Sequence, residues 1–247
     1  ISNETPDEIE KNENYDDIVS HLISEVGEDR GWVIKGQDGD WRDEPLIHVK
    51  LALQAQNYPT KDINEIVGIQ IVQAWKLVNR PFEPEYPGNR EWNRNSAQLA
   101  YIPSRYSDAL AFPTWLLLLE HSGKGLDEAI KNHDWCKKNN VLNGADYLKL
   151  WVASIIKHPT RPLPYLFFWS LEQNTGKSSF HTALSLLFTK GCIDANSALT
   201  AEFNGEIENA VICYIEEKDL SKSKSNIYNK IKDWVTSSKM LIHPKHI

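Results

Sequence analysis

The residues best equipped for chemistry stand in one stretch, SLEQNTGKSSFHTAL, residues 170–184. Within it Thr175-Gly176-Lys177-Ser178 follows the apolar run PYLFFW and precedes apolar positions at helical spacing. A flexible loop between a strand and a helix can surround an anion. Its backbone N–H groups and those of the helix N-terminus point toward the same space. In that arrangement Lys177 reaches the β- and γ-phosphates of a nucleotide, and the Ser178 hydroxyl holds Mg²⁺. Gly176 lets the backbone pass close to phosphate oxygens. The nucleotide-binding set read from the sequence is Glu172, Gln173, Asn174, Thr175, Gly176, Lys177, Ser178 and Ser179. The pattern departs from G-x-x-x-x-G-K-[ST] at its first position, where Leu171 stands for glycine, and Glu172 places a carboxylate near a polyanion.

A second constellation follows. The apolar segment ENAVICYI, 208–215, ends in Glu216 and Glu217. Phosphoryl transfer to water needs one acid to order the metal's ligand shell and another to polarise the attacking water. Glu216 suits the first role, making Ser178 and Glu216 the metal-binding pair. Glu217 suits the second. The expected cofactors are ATP and Mg²⁺, and the expected catalytic residues are Lys177, Glu216 and Glu217.

These residues need elements to place them. Residues 165–169 have the pattern of a short buried strand, 177–188 of a helix, 208–215 of a strand, 225–237 of a helix and 239–243 of a strand. Strands alternating with helices predict an α/β layer. Upstream, 15–26 shows apolar positions at helical spacing, and 31–41 reads as a hairpin turning at Asp38-Gly39. Helices are expected over 46–56, 62–78, 113–121, 126–137 and 144–157, with Thr60 or Asp62 capping the second. Trp115, Trp135, Trp151 and Tyr147 are expected to knit the later helices together. The proline-rich stretch 80–89 reads as an extended surface link, and 158–165 as a second one. The predicted organisation is therefore a disordered acidic segment over 1–14, a mostly helical region over 15–159, and an α/β nucleotide-binding domain over 160–247.

Bulk properties narrow the function classes. The net charge of −7 argues against a general coat for nucleic acid, but its distribution is uneven. Residues 1–30 hold ten acids and two bases, whereas 218–247 hold seven lysines and two acids. Phosphate contacts would then concentrate near residue 247. Three widely spaced cysteines, Cys136, Cys192 and Cys213, fit neither a disulfide framework nor a paired-cysteine metal site. No apolar run approaches the roughly 20 residues of a membrane helix, and no secretory signal opens the chain. A reducing, cytoplasmic setting is expected.

Taken together, WNRNSAQLAYIPS, PLPYLFFWSLEQNTGKSSF, VICYIEEKDL and YNKIKDWVTSSKMLIHPKH resemble the superfamily 3 helicases of phages, plasmids and large DNA viruses. The likeness is to the helicase part of phage and plasmid primase–helicases, over roughly residues 80–247. It implies a P-loop layer of AAA type behind a helical domain. It further implies a ring, usually a hexamer, that hydrolyses ATP between subunits and moves along single-stranded DNA in a bacterial host, with a primase domain conceivable in the same polypeptide. Lys177 and Ser178 match the Walker A motif, and Glu216 and Glu217 match Walker B. Lys245 and His246 match the tip of the hairpin that grips DNA in the channel. The family's next elements, a strand ending in a sensor Asn and then an arginine finger, come after the point where this chain stops, so we expect a piece of a longer protein. Two other functions compete with the DNA-dependent ATPase: a nucleotide-binding scaffold that assembles at origins without hydrolysis, and a small P-loop kinase. The paired glutamates and the long front half weigh against the kinase.

Overall fold

The computed structural model describes residues 17–68, 74–100, 112–172, 175–201, 204–216 and 225–237. Gln173, Asn174, Glu217, Lys245 and His246 lie outside them, as do the acidic segment 1–14 and the strand expected over 239–243. The fold is mixed α/β. It divides into two compact units, residues 1–79 with 83–94, and residues 80–82 with 95–247. This division replaces the boundary expected near 160.

The first unit is built on a sheet, not on helices. Its strands are β1 (Val19–Ile23), β2 (Asp29–Lys35), β3 (Trp41–Glu44), β4 (Trp75–Leu77) and β5 (Glu91–Trp92), in the order β3-β2-β1-β4-β5. β1 pairs antiparallel with β2 and β2 with β3, while β4 runs parallel to both β1 and β5. The helix expected over 15–26 is thus a central strand. Val19, Ser20, His21 and Leu22 are all buried, because side chains from both faces of a covered sheet lie inside. A strand buried on both faces loses its alternation and reads like a helix segment. The hairpin turn forms as expected, with Gly39 at φ +85° and the Gly36 N–H donating to Asp40 O at 2.8 Å.

Two helices, α1 (Leu46–Ala55) and α2 (Thr60–Ile66), cover one face of this sheet. Their Val49, Leu53, Ile63 and Ile66 pack on Val19. The helix expected over 62–78 stops at Ile66, and its tail supplies β4, whose Leu22↔Trp75 pairing overrides local propensity. The N-cap of α2 is Pro59, which supplies no side-chain cap, in place of the expected Thr60 or Asp62.

The second unit holds α3 (Pro113–Gly123), α4 (Asp127–Asn132), α5 (Asp134–Lys138), α6 (Gly144–Lys157), α7 (Lys177–Phe188), β6 (Cys192–Asp194), α8 (Asn196–Thr200), β7 (Ile212–Tyr214) and α9 (Ser225–Thr236). One helix was expected over 126–137, but extended backbone at His133 (ψ 119°) splits it into α4 and α5. α6 falls where it was predicted, opened by the Asn143 side chain accepting from Asp146 N–H. Leu119 of α3, Leu148 and Val152 of α6, and Phe180, Leu184 and Phe188 of α7 form one core. Burial at positions 180, 184 and 188 puts a single stripe of α7 inside, each side chain contributing about 1.5–3 kcal/mol. The helices assigned to a front domain thus share a core with the helix that follows the Gly-Lys-Ser. Trp151 joins this core beside Phe180, whereas Trp135 is exposed.

β6 and β7 pair in parallel, Ile193 opposite Cys213. β6 was not predicted, and the strand expected over 208–215 is confined to Ile212–Tyr214 after a 3-10 turn at Gly205–Ile207. Residues 165–169 form no ladder with any described residue. Alternation is nonetheless visible: Leu166 and Phe168 pack on the core, and Tyr165, Phe167 and Trp169 face outward. Among the described residues no helix is long and apolar enough to cross a membrane.

Candidate functional site

Gly176 sits at φ +79°, ψ 12°, immediately before α7. This left-handed conformation costs any residue with a Cβ, and here it turns the chain into the helix. Lys177 opens α7 and folds back over the loop. Its Nζ donates to Thr175 Oγ1 at 3.3 Å and to Glu172 O at 3.5 Å. Both contacts are long, so the ammonium group is lightly held. The Ser179 N–H donates to Gly176 O at 3.0 Å, closing the first turn.

Two further ties hold this loop. From α3, a ring N–H of His121 donates to Thr175 O at 2.8 Å. From just past β7, the carboxylate of Glu216 accepts from His181 Nε2 at 2.8 Å, with the Ser178 hydroxyl close by. The Ser178 hydroxyl, and next the His181 ring, hold the Glu216 carboxyl below the usual glutamate range. His181 is itself fixed by its ring, which stacks on Tyr214 at 4.0 Å and 13°. Its Nδ1 is buried with no hydrogen-bond partner among the described residues.

Thr175, Gly176, Lys177, Ser178 and Glu216 lie in one region around the start of α7. Glu172 contributes a backbone carbonyl to Lys177. Ser179 lies in the first turn of the helix. Sequence reasoning missed His121, His181 and Tyr214. The four-residue spacing from Lys177 to His181 was a usable signal, since it sets both on one side of α7. Nothing local marks His121, which lies 54 residues from Thr175.

The donor set offers hard oxygens, the Ser178 hydroxyl and the Glu216 carboxylate, on one side of a lysine. Among the described residues no group of three or more His, Cys, Asp or Glu could hold a metal alone.

Comparison with known proteins bears on the same region. Residues 168–247 match DUF5906, a family of unknown function. No curated protein matches the sequence. Two solved structures are similar in fold. One is the A-form apo structure of the NrS-1 C-terminal region, with 16% identity and TM-score 0.51, covering 92% of this chain and 49% of that one. The other is an apo structure of the same region, with 19% identity and TM-score 0.52, covering 92% and 50%. The chain thus spans about half the length of the solved chains it matches.

Proposed function

We propose that this chain carries the ATP-binding part of a replication protein of the primase–helicase type, acting as a DNA-dependent ATPase that drives movement along single-stranded DNA. The observation that carries the proposal is the contact set around α7. A left-handed glycine precedes the helix, a lightly held lysine opens it, and the next serine meets an acid at the end of a parallel strand. The motif set resembling superfamily 3 helicases and the fold likeness to the NrS-1 C-terminal region support the same reading.

On this reading the α/β portion is a P-loop layer of AAA type. Lys177 leaves Glu172 O and Thr175 Oγ1 and takes the β- and γ-phosphate oxygens. Backbone N–H groups from Gly176 to Ser178 complete the anion site. Ser178 and Glu216 would hold Mg²⁺, which supplies charge neutralisation on the phosphates when bound. His181 orients the Glu216 carboxylate, and Glu217 accepts the proton of the attacking water. Lys245 and His246 contact DNA, and ring assembly places a neighbour's residues at the nucleotide.

Leu171, standing where the loop pattern has glycine, favours a second reading as a nucleotide-binding scaffold without turnover. One experiment separates the two. ATP turnover is measured in the full-length protein with and without single-stranded DNA. Turnover should rise with DNA, vanish in Lys177→Ala, and stop in Glu217→Gln while nucleotide binding persists. Binding without turnover in the unmodified protein would establish the scaffold. Unchanged turnover in Lys177→Ala would remove the phosphate-loop assignment.

A further inference from the structure

The first unit carries an aromatic trough that the nucleotide site does not use. α1 and α2 cover one face of the sheet, and the opposite face bears Leu22, Val33, Trp41, Trp75, Leu77 and Trp92. Register puts Lys35 there too, since it pairs with Trp41. The stretch 80–89, expected to be a plain surface link, brings Tyr86 onto this face. Its ring lies nearly parallel to Trp92 (5.9 Å, 21°) and edge-on to Trp75 (5.5 Å, 67°). Trp41 also stands edge-on to Trp92, at 5.4 Å and 73°. Trp92 is the floor at 2% exposure, while Tyr86 is 48% exposed. A cavity of about 290 Å³ opens on this face, lined by Asp17, Lys35, Trp41, Trp75, Tyr86 and Trp92. That is close to the lower end, roughly 300 Å³, of small-ligand sites.

We infer that this trough is a single-strand nucleic-acid site in which a base stacks among Trp41, Trp75 and Tyr86 and a backbone phosphate meets Lys35. Charge decides the ligand class. The chain's own cations already lie against the rings: Lys35 Nζ over Trp41 at 5.7 Å, Arg90 over Trp75 at 5.2 Å and Arg94 over Trp92 at 5.5 Å. A cationic ligand entering an aromatic cage would meet the like charges of Lys35 and Arg90, with Arg94 paired to Asp43. A flat ring carrying a phosphate meets the opposite situation. Two nearby acids are already paired at the rim. Asp43 accepts from Arg94 at 2.8 Å, and Glu85 accepts from the Trp92 indole at 3.0 Å. Asp17, the remaining acid on the cavity, offers an acceptor to an exocyclic amino group on the base edge. Lys35 is exposed and can reach a phosphate without losing burial.

The assignment stands apart from the phosphate loop. It uses another unit and needs no nucleotide, so the two can fail separately. The test is fluorescence anisotropy of a labelled oligo(dC) of about 12 nucleotides, within the span of single-strand sites. The whole chain is used in a Lys177→Ala background without nucleotide. Tyr86→Ala should weaken binding roughly 5- to 150-fold, the loss of one base stack. Tyr86→Phe, which keeps the ring, should bind like the parent. Lys35→Ala should lower the salt slope by about 0.7, one phosphate contact. If Tyr86→Ala does not fold, Lys35→Ala on its exposed side chain carries the test. Parental affinity and salt slope in both alanine variants would overturn the assignment. So would displacement of the oligonucleotide by Tyr86→Ala-sensitive binding of a proline-rich peptide with no effect of Lys35→Ala, which would make the trough a polypeptide site.

Discussion

Gly176→Ala isolates the conformational demand of the loop from any steric one. A Cβ built on Gly176 would lie 3.7 Å from His121 Cδ2 and Nε2 and 3.8 Å from Ser179 Oγ, all ordinary contacts. Space is therefore available, and the cost comes from φ +79° alone. A left-handed residue with a Cβ costs about 1–2 kcal/mol. At roughly 2–4 °C per kcal/mol for a chain of this size, Tm should fall by about 2–8 °C. Asn tolerates this conformation better, so Gly176→Asn should lose less than Gly176→Ala. Differential scanning calorimetry on the three proteins gives the order. A second readout is local: amide exchange at Thr175 and Ser179 should quicken in Gly176→Ala if the backbone escapes to negative φ, because that rotation pulls Thr175 O from His121. Equal losses for Asn and Ala, or a loss well above 3 kcal/mol, would show that crowding and not φ governs the site. That result would refute the reasoning.

Gly144→Ala makes the opposite case, since its Cβ would fall 1.8 Å from Gly123 O and 2.4 Å from Gly123 C. Backbone cannot rotate aside as a side chain can, so α3 and α6 must part at a cost of about 3 kcal/mol or more, and calorimetry should show a Tm loss of at least roughly 6 °C. Glu216 gives a pH dependence: its folded pKa lies below the ordinary value of 4.5, so its contribution is present above that pH and is lost as pH falls through the folded value. Urea unfolding should accordingly find Glu216→Gln less stable than the parent at pH 7, with the gap closing as pH drops below 4.5. A gap that widens toward acid would reverse the sign and refute the tie to Ser178 and His181.

Local signals were legible where a segment's pattern matched a single solution. α6 and α7 fall at the residues the sequence indicated, 144–157 and 177–188. The central strand β1 was not legible, since burial on both faces erased the alternation that distinguishes strand from helix. β4 was hidden by its neighbours: a three-residue strand exists only because β1 and β5 pair with it. The same limit applied at the site. Lys177 and Ser178 are marked by a contiguous motif, and Glu216 by the strand it terminates. His121 and Tyr214 are brought there by tertiary packing alone.

That packing changes how the loop is understood. The sequence assigned α3 and α6 to a helical region in front of the domain that carries the loop. Instead Leu119, Leu148 and Phe180 share one core, and the helix bearing Leu119 also bears His121. The loop is thus tied on two sides. His121 fixes the Thr175 carbonyl from α3, while Ser178 and His181 bind Glu216 at the end of β7. Between these ties lies Lys177, whose own contacts of 3.3 and 3.5 Å are the weakest in the set. The backbone is held and the charge is not. On the proposed reading, an anion entering the loop would meet N–H groups already in place and a lysine that gives up little to reach it. Preorganisation of this kind spends binding energy on the phosphate and little of it on ordering the loop.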